Sequence, residues 1–118
     1  MIKTKSVKDP IEESDGTRIL VTRYPVRTQK NIPPFVMEKA RVLAPSAELL
    51  SDWRGGKISW EDYETRYLKE MSGPSQKEKI KELAERSRQE TITLLCFEPE
   101  GDLHCHRHLL KKLIEGVL

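Results

Sequence analysis

The sequence has little net charge, few cysteines and no long apolar run. Lys and Arg number 21 against 19 Asp and Glu, which leaves a formal net charge of only +2 and no general electrostatic case for a nucleic-acid or membrane-surface protein. Two cysteines are too few for a disulfide framework. No apolar run approaches the roughly 20 residues of a membrane span, and no apolar leader opens the chain. We therefore expect a reduced, cytoplasmic protein without a membrane partner.

Charged residues of both signs are abundant instead, at 34% of 118 residues. A chain of this length forms one domain, whose single core buries roughly two-thirds of the unfolded surface. The mixed charges indicate a solvated surface rich in ion pairs, which would suit a thermophilic source. We expect one compact domain over residues 1–118.

Three segments have the character of β-strands. Residues 2–7 alternate weakly, and Ile19-Leu20-Val21 is a short apolar run typical of a strand buried on both faces. Residues 91–97 form the strongest strand pattern, β-branched at first and then apolar.

Four segments have the apolar spacing and the punctuation of helices. Their predicted N-terminal caps are, in chain order, Ser46, Ser59 with Asp62, Ser75 with Glu78, and Asp102. Strands at both ends with helices between them require crossover connections. The sequence therefore predicts an α/β fold, with a small, largely parallel sheet flanked by helices.

The segment 96–108, between the strongest strand and the last helix, holds both cysteines and all three histidines. In α/β proteins, ligands usually bind at the loops that leave the carboxyl ends of strands. Most of the chemically versatile side chains thus fall where a site is expected.

Cys105 and His106 are the candidate catalytic pair in this segment. With Asp102 as the cap, Cys105 would lie in the first helical turn, where the helix dipole and free N–H groups favour a thiolate nucleophile. The alternative is a small packed side chain. His106 could be the general base, or a structural histidine bound to a loop carbonyl. Glu98 could orient the pair or form a tether, and Cys96 is expected in the core.

Three arginines are candidate anion contacts. Arg107 would lie at the helix N-terminus, where free N–H groups favour phosphate or carboxylate; the alternative is an ion pair with Glu98 or Glu100. Arg23 and Arg27 follow the strand at 19–21, and in a parallel sheet they would open on the same edge. The three could then form one anion pocket.

The sequence does not predict a metal site or a cofactor. With a helix from Asp102, His104 and His108 would share one side while Cys105 and His106 would face elsewhere. Neither a CxxC motif nor a second cysteine pair supplies the usual zinc spacing.

Three segments of the chain match three parts of the sequence pattern of one known family. Residues 18–27 form a strand followed by a loop with Arg and Pro, residues 43–50 continue through Trp60, Tyr63, Arg66 and Tyr67, and residues 94–98 precede Cys105-His106-Arg107. Together they resemble the domain-of-unknown-function 488 family of small prokaryotic α/β proteins, whose chains end in Cys-x-Glu and then Cys-His-Arg. The resemblance implies a compact α/β fold without an assigned reaction. The positions to which it points are Arg23, Arg27, Cys96, Glu98, Cys105, His106 and Arg107.

This chain departs from the commoner family pattern in one loop. Tyr24-Pro25-Val26-Arg27 stands where a Trp-Pro-Arg-Gly type of sequence is usual. A role tied to that exact loop does not transfer to this chain.

Three classes of function follow from these residues. The first is a protein that binds a small anionic, phosphate-bearing and nucleotide-like ligand at the start of its last helix, with or without thiol-dependent catalysis. The second is a non-enzymatic module for nucleic acid or protein. It would bind through the basic loops and the third helix, whose cations are interleaved with glutamates; these cations are Lys77, Lys79, Lys81, Arg86 and Arg88. A redox thiol protein is a third alternative, and it requires Cys96 to approach Cys105.

Overall fold

The computed structural model describes residues 1–7, 9–23, 37–96 and 105–117. The strands are β1 (Ile2–Ser6), β2 (Thr17–Leu20), β3 (Met37–Lys39) and β4 (Ile92–Cys96). The helices are α1 (Ala47–Arg54), α2 (Trp60–Glu70), α3 (Pro74–Ser87) and α4 (His106–Val117). Short 3-10 turns occupy Glu13–Asp15 and Arg41–Leu43. No helix in these ranges is long and apolar enough to cross a membrane.

The four strands form one sheet in the order β1-β4-β2-β3, and every neighbouring pair is parallel. The central strand β4 pairs Ile92 with Ile2 on one side and Leu94 with Ile19 on the other. The predicted α/β fold with a small parallel sheet is therefore confirmed. Strand β3, which was not predicted from the sequence, pairs with β2 alone among the described strands and lies at the edge of their sheet.

The main core lies on one face of this sheet. Because side chains alternate along a strand, Ile19, Ile92 and Leu94 share a face, and side chains from all four helices join them in one apolar cluster. The helical contribution includes Leu49, Tyr67, Leu83 and Leu110. The opposite face carries Lys3, Lys5 and Arg18, which lie beside Asp15 of the β1–β2 connection.

Two predicted helix caps are confirmed. The Ser46 hydroxyl accepts the N–H of Leu49, and Ser59 forms a capping box with Asp62. The predicted cap at Ser75 is wrong, because the cap is Gly73 and α3 begins at Pro74, one residue before Ser75. Proline suits the first helical position, since its φ is already helical and its missing N–H would have had no partner.

The last helix begins later than predicted. Its first residue is His106, so the predicted start at Asp102 is wrong, and residues 97–104 lie outside the described ranges. Cys105 precedes the helix, and its carbonyl oxygen accepts the N–H of His108. The helical spacing used to orient residues 104–108 therefore starts from the wrong residue.

Candidate functional site

The start of α4 meets the carboxyl ends of β2 and β4. Cys96 ends β4, and Val21 follows β2 and donates its N–H to Leu95 of β4. The His106 ring lies against the carbonyl oxygen of Val21, with 2.7 Å between Nε2 and O. This is the edge of a parallel sheet at which ligands usually bind, as the sequence analysis expected.

Two thiols and an imidazole converge at this edge. One ligand atom each of Cys96, Cys105 and His106 lies within 4.8 Å of the other two, and all three residues are buried. The prediction that Cys105 and His106 lie on a different side of the helix from His104 and His108 stays a prediction, because His104 lies outside the described residues. The premise of that prediction, a helix that already includes Cys105, is wrong, because Cys105 lies in the bend before α4.

The hydrogen bond to Val21 determines the tautomer of His106. A carbonyl oxygen only accepts, so Nε2 carries the hydrogen and the neutral ring keeps its lone pair on Nδ1. Nδ1 lies 3.9 Å from the Cys105 sulfur. The structural alternative for His106, a bond to a loop carbonyl, is thus present, and the same bond aims the basic nitrogen at the thiol.

Tyr67 supports the imidazole from the core side. Its ring meets the His106 ring edge-on, with centroids 5.6 Å apart, and its hydroxyl donates to the carbonyl of Leu43 at 2.7 Å. Burial raises the pKa of the Tyr67 hydroxyl well above its usual value, so the group stays neutral. Helical spacing predicted Tyr67 as a core residue, but no sequence signal identified His106 as its neighbour.

The thiol of Cys96 forms a hydrogen bond with Cys105 that keeps Cys96 protonated. A hydrogen bond with Cys105 raises the pKa of the Cys96 thiol, burial raises it further, and the opposing influence of His106 is smaller. Cys96 therefore keeps its proton and acts as the donor toward the Cys105 sulfur. Cys96 is buried, as predicted for a core residue, and it also belongs to the site.

The predicted anion contacts are placed only in part. Arg107 is fully buried in the first turn of α4. Arg23 is half-buried two residues beyond Val21, and its Nε is buried without a hydrogen-bond acceptor among the described residues. Arg27, the third predicted anion contact, lies outside the described ranges, as does Glu98, which was predicted as an orienting carboxylate or a tether.

The same three side chains offer a compact donor set for a metal ion. Cys96, Cys105 and His106 supply two sulfurs and one nitrogen, the kinds of ligand that Zn²⁺ prefers. The sequence placed Cys96 across the loop from Cys105 and His106 and did not predict that the three side chains converge. The chain lacks the CxxC spacing usual for zinc, and the absence of a metal stays a prediction.

The fold and this edge together define a parallel α/β domain with a buried thiol–imidazole pair. The family model DUF488-N3a, described as the active DUF488-N3 subclade, matches residues 2–117, and the chain belongs to the DUF488 family. The chain is similar to the uncharacterized protein YeaO of Escherichia coli (strain K12), with 34% identity over 94 residues that cover 80% of each protein. No solved structure matches the chain.

Proposed function

We propose that this protein is a thiol-dependent enzyme that binds a small anionic, phosphate-bearing and nucleotide-like ligand at the start of α4. One observation carries the proposal: the bond from His106 Nε2 to Val21 leaves Nδ1 as the basic nitrogen, 3.9 Å from the Cys105 sulfur. An activated nucleophile is recognised by a base beside it and a third group that orients the base. Cys105, His106 and the Val21 carbonyl fill those three roles.

The roles follow from the protons that each group can hold. His106 Nδ1 takes the thiol proton, the Cys105 sulfur forms a bond to an electrophilic atom of the ligand as the bond from that atom to the leaving group breaks, and the same nitrogen gives the proton to the leaving group. A water molecule, deprotonated by Nδ1, then displaces the sulfur, and the proton returns to the thiolate. Cys96 retains its own proton, since its pKa is raised, and donates its S–H to the Cys105 sulfur. We also propose, from the sequence, that the carboxylate of Glu98 orients the Cys105–His106 pair.

The N-terminus of α4 supports the proposed binding of an anion. The first four N–H groups of a helix have no partner within the helix and favour an anion. Arg23 follows Val21 by two residues and has a buried Nε that lacks an acceptor among the described residues, and Arg107 belongs to the first turn of α4. Arg27 remains a proposed third contact. The description of the matching family model as an active subclade also favours an enzyme over a pure binding module.

The surface charges of α3 weigh against the nucleic-acid alternative. Arg86 makes a two-pronged contact with Glu38, at 3.1 and 3.0 Å, and Lys79 contacts both Glu38 and Glu82. Two of the cations that such an interface needs are therefore already paired with carboxylates. A reducing, cytoplasmic location belongs to our proposal, because it keeps the two neighbouring thiols free.

The test is the alkylation rate of Cys105 between pH 6 and about 9, followed by mass spectrometry with Cys96 as the internal control. We expect Cys105 to react faster than Cys96, and phosphate or a mixture of nucleoside monophosphates to slow its reaction. The burial of Cys105, at 3% exposure, makes this a stringent test. If Cys105 is as inert as Cys96 over the whole range, the enzyme is excluded.

Arg23→Met separates binding from reactivity. The variant should keep the reactivity of Cys105 and lose its protection by phosphate, because Arg23 contacts the ligand and not the thiol. Arg66→Met is the matched control, since Arg66 lies on α2 and pairs with Asp52. Equal protection in both variants would remove Arg23 from the site.

A further inference from the structure

A second cluster of charged groups lies on the face of the sheet opposite the main core. It consists of Lys3 and Lys5 of β1, Arg18 of β2, and Asp15 and Glu12 of the connection between those strands. Asp15 is fully buried, while Arg18 and Lys5 are nearly so. None of these residues takes part in the thiol site.

Asp15 is held in place by its surroundings. Its carboxylate accepts from Lys5 Nζ at 3.0 and 3.1 Å, from Lys3 Nζ at 3.4 Å and from the N–H of Glu12 at 3.1 Å. Its carbonyl accepts the hydroxyl of Thr93 at 2.7 Å. Burial opposes ionisation, but the bonds from Glu12 and Lys5 outweigh it and lower the pKa of Asp15. Asp15 is therefore a carboxylate whose oxygens are already used.

Arg18 has no such set of partners. Its Nε lies 3.8 Å from Asp15, beyond hydrogen-bond distance. Nε and both terminal nitrogens are buried, and none donates a hydrogen bond to any residue that the structure describes. The residue is only 3% exposed, so bulk water does not replace the missing acceptors. A buried guanidinium in this state needs an acceptor from outside the cluster, either an ordered water molecule or an anion.

The charges of the cluster point to the nature of that acceptor. Three cations, Lys3, Lys5 and Arg18, face two carboxylates, those of Asp15 and Glu12, which leaves one positive charge in excess. An ionised group with two or more oxygens matches the fork of a guanidinium. The Lys3 side chain, at 30% exposure, connects the cluster with solvent.

We propose that Arg18 and Lys3 bind a small oxyanion on this face of the sheet, at a site separate from Cys105. The ligand presents a pair of carboxylate-type or phosphate-type oxygens to the guanidinium of Arg18. Its negative charge neutralises the excess cation, while Asp15 holds Lys5 and fixes the position of the β1–β2 connection. The site goes beyond the proposed enzyme function and does not depend on it.

Isothermal titration with inorganic phosphate, and separately with acetate, tests the site in the Arg23→Met background. That background removes the proposed contact at the start of α4, so the two sites are not confused. We expect one equivalent of anion to bind to Arg23→Met and none to Arg23→Met/Arg18→Met. Preference for phosphate or for acetate identifies the kind of oxyanion. No binding to Arg23→Met with either anion, or unchanged binding to the double variant, would overturn the proposal.

Thermal unfolding provides a second measurement. Without anion, Arg18→Met should be at least as stable as the wild type, because it removes a buried charge that lacks an acceptor. Phosphate should raise the midpoint of Arg23→Met and leave Arg23→Met/Arg18→Met unchanged. A marked loss of stability in Arg18→Met without anion would show that Arg18 has a structural role instead. Failure of the proposed enzyme would appear as an inert Cys105, which none of these results affects.

Discussion

The imidazole of His106 donates from Nε2 to the carbonyl oxygen of Val21 over 2.7 Å, and thereby joins the start of α4 to the end of β2. The bond crosses 85 positions of sequence. It sets the orientation of the ring and leaves Nδ1 as the acceptor that faces Cys105. One hydrogen bond thus serves both the packing of α4 and the geometry of the candidate site.

Replacing His106 by Gln should separate these two contributions. A glutamine amide can still donate to Val21 but has no basic nitrogen for the thiol. We expect the alkylation rate of Cys105 at neutral pH to fall by roughly tenfold or more, toward that of an unassisted cysteine, which is only a few per cent thiolate. The free energy of unfolding should change by less than about 1 kcal/mol.

His108→Gln is the matched control for that substitution. His108 lies on the same helix but is partly exposed, and it should leave the reactivity of Cys105 unchanged. Urea unfolding and alkylation followed by mass spectrometry measure the two effects. A His106→Gln variant that reacts at the wild-type rate would contradict the role of His106 as the base.

The stability of the protein should fall at alkaline pH because of Cys96. Its thiol has a raised pKa in the folded state, whereas an unfolded cysteine ionises near about 8.5. Above that value the unfolded chain loses a proton that the folded chain keeps, so the free energy of unfolding decreases as the pH rises. Urea titrations at several alkaline pH values should show this slope in the wild type and a smaller slope in Cys96→Ser. Equal slopes would contradict the assignment.

Tyr67→Phe should lower stability without altering the chemistry of the site. The variant keeps the ring beside His106 but leaves the buried Leu43 carbonyl without its donor. An unsatisfied buried acceptor costs about 1–3 kcal/mol. We expect a loss of that size in urea unfolding and an unchanged alkylation rate for Cys105. A large fall in that rate would mean that the hydroxyl takes part in the chemistry.

Asp15→Asn should be the most destabilising of these substitutions. It removes the buried carboxylate that faces Lys5 and Arg18, and breaking a buried pair costs about 3–5 kcal/mol. The lowered pKa of Asp15 means that its contribution is present above about pH 4 and is lost as the pH falls through the folded value. The difference between wild type and variant should therefore shrink in acid.

Glu12→Gln is the control for Asp15. The Glu12 side chain is 60% exposed and contacts Lys5 from the surface, so its loss should cost no more than about 1 kcal/mol. Chemical unfolding at pH 7 and at about pH 3 compares the two variants. If both are equally destabilised at pH 7, the burial of Asp15 is not the decisive factor.

Local hydrogen bonding made several features of the fold predictable. Ser46 and Ser59 begin helices because their hydroxyls bond to N–H groups three residues ahead, which depends on almost nothing distant. The helix predicted to begin after Ser75 begins instead at Pro74, for an equally local reason, because the φ of proline is already helical. Strand β3 was missed because its three residues carry no period of their own and it forms only by pairing with β2.

The buried charge cluster had a signal that the sequence analysis did not use. Arg18 comes just before the apolar run at residues 19–21 and belongs to β2. Because that run predicted a strand buried on both faces, it also indicated that the guanidinium of Arg18 is buried on one of them. Asp15 closes a capping box with Glu12 just before that strand. Their meeting with Lys3 and Lys5 required the parallel pairing of β1, β4 and β2, which no local pattern specifies.

By itself the sequence determined the class of the fold and the segment in which a site was expected, because hydrophobic period, caps and residue chemistry are local properties. The sequence alone did not predict that Cys96, Cys105 and His106 lie next to one another. That convergence depends on where α4 begins and on which strand end its first residue meets. Only the tertiary structure decided this, since the bond from His106 to Val21 forms only after β2, β4 and α4 have packed.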